Sequence, residues 1–313
     1  MDYLYALQQF RESAPDFINV FFVILSEMMV YAGPLVPLVF YLCIDKNYGA
    51  LVGFNLMVAD TVNNVIKVTV CEYRPWIRDG RLYVAKAAEN HASGYSSPSG
   101  HTTAATAIFG SLLVKFKEKK VFSAIMVFMI MLVGFSRNYL GCHDLPDVVM
   151  AVIETVIIMF MIKLLFDVLA KNPNIDVWIL IGIIVFCVAA SIFVLTKSYP
   201  MDYNELGELI VDPKPMCKDV FGSIGMLLAW GISWFVERRY INFDIKGTKK
   251  EKIIRALIGA LIFALLYLVI LKILVAPLDV RLGAFIKRFV SVGAVAGIYP
   301  YFIKKSQDKK RAN

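Results

Sequence analysis

Charge is scarce in this chain of 313 residues: Asp, Glu, Lys and Arg make up 19% of it, and hydrophobic side chains 58%. Proportions like these exclude an ordinary soluble domain, which is less apolar and more charged. Metal-ligand patterns are also missing. The five cysteines (Cys43, Cys71, Cys142, Cys187 and Cys217) are dispersed, with none of the close pairings that hold zinc or an iron–sulfur cluster. They read as apolar filler, with a Cys71–Cys142 pairing as the alternative. The opening stretch MDYLYALQQFRES has no basic segment, so no cleavable signal peptide is expected. No internal repeat and no soluble domain is visible. The net charge of +8 does not point to nucleic acid, because the basic residues lie between apolar runs.

Those runs are the dominant feature. About 20 helical residues cross the hydrocarbon core of a bilayer, and nine stretches approach or exceed that length: 17–43, 48–72, 100–116, 121–141, 145–169, 176–196, 216–236, 253–276 and 284–303. The fold class expected is all-α, a polytopic membrane protein with about nine transmembrane helices. The first run is interrupted at Gly33-Pro34, which predicts a kink or an interfacial entry. With the N-terminus outside, seventeen Lys and Arg fall in inner breaks and twelve in outer ones. The short dense clusters KFKEKK, KGTKKEK and the C-terminal tail all lie inside. The positive-inside rule makes that side the cytoplasm. Lys163, Arg255 and Lys272, which lie within runs, are expected to snorkel to an interface.

Three segments carry polar residues that a lipid-facing pattern does not need: Lys67-VTVCEY-Arg74-Pro75, Pro98-Ser99-Gly100-His101 and Ser136-Arg137-NYLGC-His143-DLP-Asp147. Alternation of the spans brings all three to one membrane face. Lys67, Arg74 and Arg137 are three cations that suit a tetrahedral phosphate. Ser99 stands where a helix cap is expected, so the backbone N–H groups of Gly100 and His101 form an anion site, and glycine lets a ligand approach closely. His143 and Asp147 are four apart, a spacing that suits a carboxylate orienting an imidazole. His101 is a second titratable group, placed to act on a leaving oxygen. A nucleophile, its carboxylate, an acid and a cationic cradle are the parts of a metal-free phosphoryl transfer.

These strings resemble the three-part signature of the phosphatidic acid phosphatase type 2 and vanadium haloperoxidase superfamily, KxxxxxxRP, PSGH and SRxxxxxHxxxD. All eleven specified positions are present. The resemblance implies that His143 is the nucleophile, Asp147 its partner and His101 the acid. Lys67, Arg74, Ser99, Gly100 and Arg137 would bind the phosphate. It implies a phosphohistidine intermediate and no cofactor or metal. The substrate would be a phosphorylated lipid, such as phosphatidic acid, phosphatidylglycerol phosphate or an isoprenyl diphosphate, met at the outer face of a bacterial plasma membrane. The nine-span layout, with Asp60 and Asn63 ahead of Lys67, is also similar to glucose-6-phosphatases, which keeps a soluble sugar phosphate open; a phosphotransferase would share the intermediate. Haloperoxidases are soluble, which argues against that branch. A channel or transporter is disfavoured because no opposed charge pairs line the midplane.

Elsewhere the sequence leaves alternatives standing. His91 reads as a solvated loop histidine, and the stretch from Trp76 to Tyr95 is either a surface lid or a structureless loop. Asp60 and Asn63 also suit hydrogen bonds between helices, and Gly222 and Gly225 suit close helix packing. The expected organisation is one integral membrane domain over residues 1–313. It has a signature core at about 48–170, further helices at 176–303 that form a portal or a dimer contact, and a basic cytoplasmic tail at 304–313.

Overall fold

The computed structural model describes residues 1–31, 33–92 and 94–312. Among them the chain is helical, and the sole β feature is an isolated bridge between Tyr203 and Leu209. The N-terminal helices are α1 (Asp2–Ser13), α2 (Asp16–Tyr31), α3 (Leu35–Val39), α4 (Lys46–Val70) and the single turn α5 (Pro75–Arg78). The middle of the chain forms α6 (Gly100–Lys115), α7 (Lys120–Tyr139), α8 (Leu145–Lys171) and α9 (Asp176–Thr196). The C-terminal part forms α10 (Lys214–Val236), α11 (Lys249–Ala264), α12 (Leu271–Leu274), α13 (Val280–Gly293) and α14 (Tyr299–Ala312).

Each of the nine predicted runs is helical, and among the described residues seven helices are long and apolar enough to cross a bilayer. The two exceptions have local causes. The first run is divided into α2 and α3, with Pro34 at the N-cap of α3. In the third, α6 has 16 residues, about 24 Å of helix against a core of about 30 Å. Helix starts follow their capping residues. Asp45 Oδ1 accepts from Tyr48 N at the start of α4, Thr248 and Glu251 form a reciprocal box at α11, and Asp279 caps α13. Ile157, Phe160 and Met161 on α8 and Val185 and Val188 on α9 are exposed, as side chains that face lipid are. The chain is an integral membrane protein.

Two compact units are present. The first comprises Met1–Gly33, Val62–Met159 and Thr196–Cys217; the second comprises Pro34–Thr61, Phe160–Leu195 and Lys218–Asn313. In the first, Leu25 and Met29 of α2 pack with Ala105 of α6 and Val133 of α7. A second cluster of Ala88, Ala92, Tyr139, Leu140 and Cys142 is overlaid by Ile18, Phe22 and Trp76. α1, outside the predicted spans, ties this region together: buried Arg11 donates to Tyr83 O at 2.9 Å and Tyr139 O at 3.0 Å. The stretch expected as lid or loop contains α5 and a 3₁₀ turn over Lys86–His91; the His91 side chain lies outside the described residues. Cys71 and Cys142 are free thiols.

In the second unit, a Cβ on Gly225 would stand 2.5 Å from Phe285 O, so glycine is what lets α10 and α13 meet. Two expectations fail here. Arg255 does not snorkel to water: it is buried, because Leu42 O, near the end of a π-helical turn over Phe40–Ile44, lies within reach and accepts from it at 3.0 Å. An opposed charge pair does lie within the spans, Arg288 Nη1 to Asp60 Oδ2 at 3.7 Å. Gly222 makes room for it, since a Cβ there would stand 2.8 Å from Arg288 Nε.

Candidate active site

The long spacing in SRxxxxxHxxxD has a local explanation. α7 ends two residues after Arg137, and Gly141 takes a left-handed φ of 73°. The amides of Cys142 and His143 then both return to Arg137 O, at 2.9 and 3.3 Å. The chain immediately starts α8. Asp144 Oδ1 accepts from Asp147 N at 3.1 Å, and Asp147 Oδ2 accepts from Asp144 N at 3.1 Å. Asp147 is therefore the third residue of a reciprocal capping box. A helix end, a glycine turn and a helix start place the imidazole and its carboxylate with little freedom.

His143 is buried, with Nδ1 at 3.2 Å from Asp147 Oδ2 and Nε2 at 2.9 Å from Arg74 Nη1. With Asp147 taking the Nδ1 proton, Nε2 carries the lone pair. Burial first, then the charges of Arg74, Lys67 and Arg137, push its pKa well below the ordinary value of 6.5. The three cations chosen from sequence thus act electrostatically on one imidazole and favour its neutral form.

Each cation is anchored differently. Arg74 caps α5, donating to Cys142 O at 2.8 Å and Gly94 O at 3.3 Å. Lys67 donates to Ser96 O at 3.2 Å and Pro98 O at 2.7 Å, so its ammonium shapes the loop that opens α6. Arg137 is wholly buried. One nitrogen, Nη1, donates to Ser26 Oγ, while Nε and Nη2 have no partner. Buried unmet donors on a permanent cation are costly, and an anion with several acceptor oxygens satisfies them.

Ser99 is the N-cap of α6, and its own amide donates to Asp147 O at 3.1 Å. A Cβ on Gly100 would meet only Asn63 Oδ1, at 3.6 Å. Neither φ nor packing demands glycine there, so what it provides is open space beside the helix start. His101, in the first turn of α6, faces a different carboxylate: its Nε2 lies 4.0 Å from Glu27 Oε1. Among the described residues no group of three His, Cys, Asp or Glu side chains is placed to hold a metal ion.

Several polar groups escaped sequence reasoning. Buried Ser96 donates to Asp147 Oδ2 and lies 3.5 Å from His143 Nδ1. Asn138 Nδ2 donates to His143 O at 2.9 Å. One turn further in, Asn63, Thr103 and Glu154 join α4, α6 and α8: Asn63 Nδ2 donates to Thr103 Oγ1 at 2.9 Å and to Glu154 Oε1 at 2.7 Å, and Thr103 Oγ1 to the same oxygen at 2.9 Å. Asn63 bonds between helices as its place in a span suggested, while for Thr103 and Glu154 the signal was spacing, since they lie four and seven residues from Ser99 and Asp147. Asn63 therefore serves between helices, as does Asp60 with Arg288.

Residues 48–171 match the PAP2 superfamily, and residues 221–311 match the PAP2 superfamily phosphatase, transmembrane extension. Undecaprenyl-diphosphatase BcrC of Bacillus subtilis (strain 168) is 28% identical over 197 residues, covering 62% of this chain and 92% of that protein. No solved structure matches the chain. All three motif segments lie inside the first matched region.

Proposed function

The chain belongs to the PAP2 superfamily, and from that premise we propose that it removes phosphate from a lipid phosphate or diphosphate through a phosphohistidine on His143. The observation that carries the proposal is the setting of His143: a buried imidazole held through Nδ1 by Asp147, with Nε2 directed at a guanidinium and with burial and three cations lowering its pKa. Arg74 Nη1 lies 2.9 Å from that nitrogen. When a phosphate enters, its oxygens are the stronger acceptors for Arg74 and for the two unmet donors of Arg137, which leaves Nε2 free to attack in line.

The Nε2–P bond forms as the bond to the leaving oxygen breaks, and His101 supplies the proton that the leaving oxygen takes. Asp147 stabilises the imidazolium that develops on His143. Water activated by His101 then cleaves the N–P bond and releases phosphate. No metal takes part, because three fixed cations supply the charge stabilisation.

The dense basic clusters favour a cytoplasmic position for the opposite ends of these helices. The site then faces the outside of a bacterial plasma membrane, with the N-terminus out and the C-terminus in. The motif segments lie at helix ends, the level of lipid headgroups, so a lipid enters laterally. The curated relative acts, by its name, on undecaprenyl diphosphate, which favours a polyisoprenyl diphosphate over phosphatidic acid or phosphatidylglycerol phosphate.

The test is phosphate release by the purified protein in detergent with EDTA present. Isoprenyl diphosphate, phosphatidic acid, phosphatidylglycerol phosphate and glucose 6-phosphate are run in parallel. The isoprenyl diphosphate should turn over fastest and vanadate should inhibit, since it mimics the pentacoordinate transition state. Preference for the sugar phosphate, or transfer to an added alcohol without free phosphate, would overturn the substrate or the reaction class respectively.

A further inference from the structure

The motif gives one imidazole its carboxylate. The second imidazole has one as well, and it comes from outside both matched regions, which begin at residue 48. Glu27 of α2 holds Oε1 4.0 Å from His101 Nε2, with its side chain 18% exposed. It is the one carboxylate on α2 after Asp16, in a helix whose other residues are mostly apolar. An acidic group at such a place is costly and marks function by default.

Packing explains why it points where it does. Leu25 and Met29, one turn apart, sit against Ala105, one turn below His101, and Val133, one turn before Arg137. This phase turns two adjacent polar side chains of α2 toward two motif residues: Ser26 Oγ accepts from Arg137, and Glu27 faces His101.

We propose that Glu27 is a positioning residue for His101, holding the ring on its Nε2 side so that Nδ1 delivers the proton. The inference rests on the phosphohistidine reading above. As the His143 Nε2–P bond forms, the electron pair of the breaking P–O bond stays on the leaving oxygen, which takes the Nδ1 proton of His101. In the second step neutral His101 takes a proton from the attacking water, the N–P electron pair returns to His143, and the imidazolium of His101 is restored. A carboxylate beside an imidazole stabilises its cation, whereas the cations around His143 keep that ring neutral, and opposed environments divide acid from nucleophile. Catalytic contacts are commonly long in empty sites and tighten around substrate, which accommodates 4.0 Å.

Leaving-group dependence tests it. Phosphatidic acid expels an alkoxide that needs the proton, and 4-nitrophenyl phosphate expels a phenolate that does not. Glu27→Gln should lose about 10- to 100-fold in kcat on phosphatidic acid but less than about threefold on 4-nitrophenyl phosphate. Vanadate affinity should be retained, and Glu27→Asp should recover part of the loss. Equal losses on the two substrates, or none on phosphatidic acid, would overturn the proposal. If Glu27→Gln no longer binds vanadate, Glu27→Asp is compared on the two substrates with the same criterion. His101→Ala separates the levels: lack of leaving-group dependence there removes the acid assignment itself, while dependence in His101→Ala without it in Glu27→Gln removes only the role of Glu27.

Discussion

The two units treat charge in different ways. In the second, Lys46 Nζ sits on Glu237 at 2.9 Å, Arg239 Nη2 on Asp176 at 2.5 Å and Lys310 Nζ on Glu251 at 2.7 Å, with Arg255 on carbonyls as an exception. In the first, the motif cations donate to backbone carbonyls, an imidazole and a hydroxyl, and Arg137 keeps two buried donors without partners. Paired charges fix helices to one another. Cations whose donors are not met by carboxylates suit an anion from outside, the role proposed for them here, and the packing of α2, α6 and α7 keeps Arg137 in position.

Substitutions sharpen that contrast. Arg137→Met should lower kcat/KM by about 100-fold or more, while its thermal midpoint stays at or above wild type, because a buried charge with unmet donors is removed. Glu237→Ala should do the reverse. Glu237 is buried and accepts from Lys46 Nζ and Phe243 N, so its loss should destabilise the protein by roughly 2 kcal/mol or more, with turnover per folded molecule kept. Were Arg137→Met to destabilise as much as Glu237→Ala, the two units would not differ in kind.

A smaller effect is expected at Ser96, which touches no substrate in the mechanism but fixes Asp147. Ser96→Ala should reduce kcat about tenfold with little change in vanadate affinity; a fall in affinity alone would make it a phosphate ligand. The smallest effect is in titration. His143 has its pKa depressed below 6.5, chiefly by burial and next by Arg74. Its contribution to stability is complete above about 6.5 and is lost as pH falls below that value, since the unfolded chain then binds the proton first. In Arg74→Gln the ring should titrate higher than in the wild type but still below the ordinary value, because desolvation, the larger cause, remains. Nitrogen NMR of the three histidines reads this directly.

Much of this architecture is legible from residues alone because its physics is local. Apolar runs set the helices, Pro34 and the capping residues set breaks and starts, and HxxxD spacing is the geometry of a capping box beside a glycine turn. What escaped depends on packing phase. Nothing local distinguishes Glu27 from a stray carboxylate, or tells that Arg11 reaches two carbonyls far along the chain. Arg255 escaped for the same reason: its carbonyl partner lies 213 residues away in sequence. Lys67 was identified by its place in the motif, but that its ammonium grips the loop before α6 is a tertiary fact.

The central claim is a covalent bond between phosphorus and one ring nitrogen, and rapid acid-free quenching of the enzyme with radiolabelled isoprenyl diphosphate tests it most directly. Label that survives alkali, is lost in acid and maps to the peptide containing His143 is the predicted result. Label on another side chain, or a phosphoenzyme that persists in His143→Ala, would contradict it.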